Sequence, residues 1–245
     1  MKNFLFALIT LHTTISLALL AARCGHSPVP AAQPTPPAQR ALAIGVDRSS
    51  SIAEYPYSIL DTSHLRRLCE PLLDSPQGAL VAFDIIGSPN QAKIIRLYIK
   101  PTRQKTPPRT LTLPEQQQRN RERTQIRQDN RDSLEVFLQR CQRRLDAPVQ
   151  SETDLNGFFA KMNVLLSEPG YTAFEKTLYV ETDGFQYVKG EQKGSILRDL
   201  NCPELPANCR FYTGHWSPNA AKCGQVKAEF EDIEGFISFF NQSQN

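Results

Sequence analysis

An unbroken apolar run, Ala41–Val46, ends in the polar string Asp47-Arg48-Ser49-Ser50-Ser51. Apolar residues without alternation predict a strand covered on both faces, as in a parallel sheet, with Asp47 at its C-terminal end. Leu65, Leu68, Cys69 and Leu72 recur at helical spacing and predict a helix over Thr62–Leu73, with Thr62 and Ser63 as caps and Pro76 beyond its end. Two β-rich runs, Ala79–Ile86 and Lys93–Ile99, flank Gly87-Ser88-Pro89-Asn90 and predict strand, turn, strand. Asp84 inside the first run reads as a strand-end carboxylate held by a hydrogen bond.

Four prolines make Pro101–Pro114 a loop, and Glu115–Asn130 is a Gln/Arg/Asn tract almost without apolar residues. Leu134, Phe137, Leu138, Cys141 and Leu145 then mark one helix face. The second half of this helix is expected to pack on the body while the first half projects or frays. After the polar loop Gln150–Asn156, the residues Leu155, Phe158, Phe159, Met162, Leu165 and Leu166 form the core stripe of another helix, closed by Glu168-Pro169-Gly170. A β run at Lys176–Val180 delivers Glu181-Thr182-Asp183-Gly184, a last strand is predicted at Arg210–Gly214, and Val226, Phe230, Ile233, Ile237 and Phe240 have the spacing of a closing helix. Alternating strands and helices define an α/β fold. It is Rossmann-like and doubly wound, with a mainly parallel central sheet, helices on both faces and a basic helical insertion over about 101–146.

The N-terminus changes this picture. Lys2, the apolar stretch Phe4–Leu20 and the small residues Ala21 and Ala22 make residues 1–23 an export signal. Cys24-Gly25 resembles a bacterial lipoprotein cleavage site, from which Arg23 departs, so lipidation of Cys24 and export without it both stand. Residues 24–39 are Pro/Ala-rich and read as an extended tether to a domain over 40–245. The expected location is the bacterial cell envelope, periplasmic or membrane-anchored.

With 40% hydrophobic and 22% charged residues the chain has the composition of a globular domain. A net charge of +3 gives no reason to expect nucleic acid. Thr102–Arg144, however, holds eleven Lys/Arg against five Asp/Glu, which offers a surface to anionic lipid or a polyanion, or simply a solvated helix end. Six cysteines fit an oxidising compartment. With Cys24 set aside, five remain, Cys69, Cys141, Cys202, Cys209 and Cys223; two bridges and one free thiol are one solution, with the pairing open. No C-x-x-C pair occurs, which argues against zinc.

Asp47, Ser49 and Ser51 spell D-x-S-x-S, three oxygen side chains within five residues, and oxygen ligation is what a hard cation such as Mg2+ requires. Thr153, in Glu152-Thr153-Asp154-Leu155, and Asp183, in Thr182-Asp183-Gly184, lie on loops that a doubly wound sheet can bring to the same edge. In this order the three elements resemble the von Willebrand factor A domain and its metal-ion-dependent adhesion site, over about Arg40–Phe240. The long basic excursion and the clustered late cysteines are not part of that family's pattern. The resemblance implies that Ser49, Ser51 and Thr153 bind Mg2+ (or Mn2+ or Ca2+) directly, while Asp47 and Asp183 act mostly through water and hydrogen bonds. An open coordination position would then accept a carboxylate from a protein partner. Asp154 reads instead as the first-turn acid of its helix.

The function this implies is non-enzymatic: cation-dependent protein binding, in adhesion or assembly. A metal-independent scaffold using the Arg/Gln-rich helix is the alternative. A metal-dependent hydrolase is disfavoured, because no His, Lys or Cys stands beside the three motifs as base or nucleophile.

Overall fold

Strand β1, Arg40–Asp47, is buried from Ala41 through Asp47 and lies inside a six-stranded sheet. The computed structural model describes residues 38–49, 52, 60–87, 93–103, 110–148, 152–189, 195–198, 200–202, 204–221 and 223–243. The predicted export signal, Cys24 with nearly all of the tether, and Ser50 and Ser51 of the first motif lie outside the described residues.

The sheet also contains β2 (Ala79–Ile86), β3 (Ile95–Ile99), β4 (Glu175–Glu181), β7 (Cys209–Gly214) and β8 (Val226–Phe230), in the order β3-β2-β1-β4-β7-β8. All neighbours pair in parallel except β3, which runs antiparallel to β2 at one edge. From β1 the chain moves outward to β2 and β3, then crosses to β4 on the other side of β1. The switch point of this doubly wound sheet therefore falls between β1 and β4, where such folds place their ligands beyond the strand C-termini.

Side-chain alternation along β1 divides the core. Leu42, Ile44 and Val46 join Val81, Phe83 and Tyr179 on one face, under α1 (Thr62–Cys69), α2 (Leu113–Leu145) and α4 (Ile233–Gln242). Ala41 and Ala43 join Leu80, Ala82, Leu178, Val180 and Phe211 on the other, under α3 (Leu155–Leu166) with Phe158, Phe159 and Met162. Position 45 on this second face is glycine, where a Cβ would lie 2.2 Å from the Phe158 ring. Asp84 is buried there too, paired with Lys161 of α3 and accepting the Ile85 N–H at 3.0 Å.

Several predicted elements shift. The cap of α1 is Asp61, which accepts from the Ser63 and His64 N–H groups at 2.8 and 3.0 Å, and Pro71 turns the last predicted turn into a 3-10 segment, Glu70–Leu72. Val226–Phe230 is a strand, not the start of the closing helix: its exposure alternates along β8, its backbone pairs with β7, and Asp232 caps α4 through the Gly235 N–H. The tract at 115–130 is helical throughout as part of the 33-residue α2. A hairpin, β5 (Gln186–Lys189) with β6 (Ser195–Arg198), follows the third motif and was not predicted.

Cys202–Cys223 is the single disulfide among the described residues, so the solution with two bridges does not hold there. Cys69 and Cys141 are buried free thiols that pack as small apolar core residues, and Cys209 is a half-buried free thiol. No described helix is long and apolar enough to cross a membrane.

Candidate metal centre

The switch point brings Asp47, Ser49, Thr153 and Thr182 to one place. Asp47 ends β1, and Thr182 and Asp183 follow the adjacent β4. Asp47 is fully buried, and its partners are neutral. The Ser49 N–H donates to Oδ1 at 2.8 Å, the Thr153 hydroxyl to Oδ1 at 3.5 Å and the Thr182 hydroxyl to Oδ2 at 2.9 Å. Ser49 is itself buried on the loop that leaves β1.

Thr153 reaches Asp47 because its backbone is fixed from two sides. It exchanges hydrogen bonds with Tyr187 of β5 at 2.7 and 3.0 Å, while the next N–H, of Asp154, donates to the Gly87 carbonyl at the end of β2. Asp154 caps α3: its Oδ1 accepts the Gly157 N–H at 2.9 Å and the Gln186 side-chain amide at 3.2 Å. Asp183 is held by the Phe185 N–H, which donates to Oδ1 at 3.0 Å. Gly184 has φ +82°, and a Cβ there would press on the Trp216 ring at 2.7 Å, so the turn that presents Asp183 requires glycine.

Burial raises the Asp47 carboxyl to about 6, and the nearby Asp183 charge adds to the rise; the Ser49 and Thr182 hydrogen bonds only partly oppose it. Behind the site, buried Glu181 accepts the Leu60 N–H on both oxygens, at 3.0 and 3.3 Å. Burial pushes Glu181 up to about 8, and the Asp47 and Asp232 charges contribute. The sheet edge thus carries buried acidic groups whose recorded partners are N–H groups and hydroxyls.

That donor set fits a hard divalent cation, which would supply the missing positive charge and take these oxygens as ligands. Among the described residues no three His, Cys, Asp or Glu side chains gather as a metal cluster. A cation here would therefore depend on the Ser49 and Thr153 hydroxyls beside Asp47 and Asp183. Ser51, the remaining sequence candidate, lies outside the described residues. Thr182 and Glu181 were not singled out in the sequence. Thr182 has a recoverable signal: alternation from Leu178 and Val180 turns it to the same face of the sheet as Asp47. Glu181 has none beyond its place at a strand end.

No family model and no curated protein matches this sequence. Among solved structures, the pilus adhesin SpaC from Lactobacillus rhamnosus GG, in its open conformation, aligns over 86% of this chain at 10% identity with a TM-score of 0.41. A second crystal structure of the same adhesin gives the same values. The chain spans 30% of the adhesin's length.

Proposed function

We propose that this chain is an exported, cation-dependent protein-binding module of the von Willebrand factor A type. The observation that carries the reading is the buried Asp47 carboxylate at the β1/β4 switch point, met by the Ser49 N–H and by hydroxyls of Thr153 and Thr182. In this reading Ser49, Ser51 and Thr153 ligate Mg2+ or Mn2+, while Asp47 and Asp183 hold the ligands and water around it. The ion, when bound, supplies an electrophilic centre for an acidic side chain of a protein partner. The chain's own residues orient that centre and keep it on a rigid sheet edge. The Cys202–Cys223 bridge and the leader sequence favour export to an oxidising envelope compartment, with Cys24 as a candidate lipid anchor.

The test is retention of envelope proteins by the immobilised full chain. The reading predicts retention in Mg2+, release by EDTA, and none by Asp47→Ala. Retention that survives EDTA but is lost on deleting Gln116–Asn130 would favour a metal-independent scaffold. Phosphatase or protease turnover abolished by Asp47→Ala would replace binding with hydrolysis.

A further inference from the structure

The six-stranded sheet ends in β3 on one side and β8 on the other. β8 pairs with β7 across a register shift between Phe211 and Tyr212, and a bulge of this kind twists an edge away from further pairing. β3 keeps an unbroken antiparallel register with β2 from Ile95 to Ile99. Successive residues of such a strand turn their N–H and C=O groups alternately toward the neighbour and away from it. Two contacts fix which residues do which. A Cβ at Gly78 would lie 2.6 Å from the Ile99 carbonyl oxygen, so Ile99 faces β2. The next residue, Lys100, donates its N–H to the Asn130 side chain of α2 at 2.9 Å, and its carbonyl accepts the Asn130 amide at 3.1 Å. Arg96 and Tyr98 therefore turn their backbone groups outward, and among the described residues no strand lies beyond them.

This open edge borders a groove of about 510 Å3, between Arg96, Leu97 and Tyr98 of β3 and Asp132, Val136 and Arg140 of α2. Its rims hold apolar surface in water: Tyr98 is 54% exposed and Val136 48%. The rim is ordered. The Tyr98 oxygen accepts the Tyr171 hydroxyl at 3.0 Å, and Arg96 forks onto Glu168 at 2.8 and 3.2 Å. An unpaired strand edge beside exposed apolar side chains is a template for another strand.

The groove is complementary to itself. About a twofold axis perpendicular to the sheet at Leu97, a second β3 pairs antiparallel with the first. Ile95 then faces Ile99 of the second copy, Leu97 faces Leu97, and Arg96 faces Tyr98, each such pair exchanging both of its backbone hydrogen bonds. Asp132, Val136 and Arg140 form one i, i+4, i+8 stripe of α2. The same rotation sets Val136 against Val136, and Asp132 against Arg140 of the second copy on either side. Strand and stripe share a centre, because Leu97 and Val136 line the same groove. Backbone pairing alone suits any strand; the matched charges on α2 single out a second copy. We propose that this edge is a homodimer interface, β3 to β3, with one sheet running through both copies in a closed, isologous arrangement. It uses neither Asp47 nor a cation and stands independently of the metal reading.

The test is sedimentation equilibrium of the full chain in EDTA. A reversible dimer of twice the 27.6 kDa chain mass is expected. Asp132→Arg and Arg140→Asp, both at exposed positions, each set like charges across the axis and should weaken the dimer by about tenfold or more. Combining the two restores opposite charges and should recover the parent affinity to within about threefold. Tyr98→Pro deletes an outward N–H without touching the β2 ladder, a change edge strands tolerate, and should also weaken the dimer by about tenfold or more. Lys227→Glu, exposed on β8, should leave it within about twofold. A chain that stays monomeric up to about 100 μM overturns the proposal. So does a dimer indifferent to the single charge reversals or to Tyr98→Pro, a double reversal that fails to recover, or equal loss in Lys227→Glu.

Discussion

Replacing Asp47 with asparagine should stabilise the fold when divalent cations are removed and cost stability when they are supplied. In the folded chain the carboxyl is raised from an ordinary 3.8 to about 6. An acid raised on folding adds stability in full only below its unfolded value, and that stability is lost as pH climbs from about 4 through about 6. Above pH 7 the ionised Asp47 therefore carries the whole penalty. Two units at 1.36 kcal/mol each set it at about 3 kcal/mol. Asparagine keeps an acceptor for the Ser49 N–H and can present its amide to the Thr182 oxygen, so most of the penalty should be recovered. In EDTA at pH 8 the Asp47→Asn chain should melt about 5–10 °C above the parent, at about 2–4 °C per kcal/mol for a domain of this size. Below pH 4 the two should converge. Glu181 remains in both chains, and because the Asp47 charge contributes to its rise, relief of Glu181 acts in the same direction as the loss of the Asp47 charge. Added Mg2+ at 100 times its dissociation constant stabilises only a chain that binds it, by about 2.7 kcal/mol, and should close or reverse the gap. A variant less stable than the parent in EDTA at pH 8, or a gap indifferent to Mg2+, would show that Asp47 is not a buried charge relieved by a cation.

Two further outcomes follow from the packing. Asn130 is buried and bonds the Leu73 and Lys100 carbonyls at 3.0 and 3.1 Å and the Lys100 N–H at 2.9 Å. Asn130→Ala leaves these backbone groups short of a partner and should lower urea-unfolding stability by about 2–4 kcal/mol; a loss under 0.5 kcal/mol would mean that α2 is not anchored there. Cys202→Ser with Cys223→Ser opens a bridge of sequence separation 21 and should cost about 2–4 kcal/mol in the same assay, with an unchanged midpoint the contrary result.

The parts of this fold that were legible in the sequence share one property: their pattern has a single reading. Ala41–Val46 has no polar break, so it can only be a strand covered on both faces, and a strand of that kind delivers Asp47 to the sheet edge. The stripe from Leu155 to Leu166 is equally one-sided. Val226, Phe230, Ile233 and Ile237 fit helical spacing as well as any true helix in the chain, yet the first two alternate with Lys227 and Glu229 and are taken by the open edge of β7. Only the sheet could decide that contest. Asn130 sits in a run of Arg, Gln and Asn residues and has nothing local to mark it as buried. The closeness of Thr153 to Asp47 also depends on the β5 hairpin, which pins Thr153 through backbone bonds that no side chain announces. The D-x-S-x-S, T-D-L and T-D-G strings stand out in the sequence as polar loops, and the β1/β4 switch point is where Asp47, Ser49, Thr153 and Thr182 meet.

The most direct test is calorimetric titration of Mg2+ and Mn2+ into the full chain beside Asp47→Ala. Saturable binding is expected in the parent and none in the variant. Equal silence in both, or equal binding in both, would contradict a metal centre at this edge of the sheet.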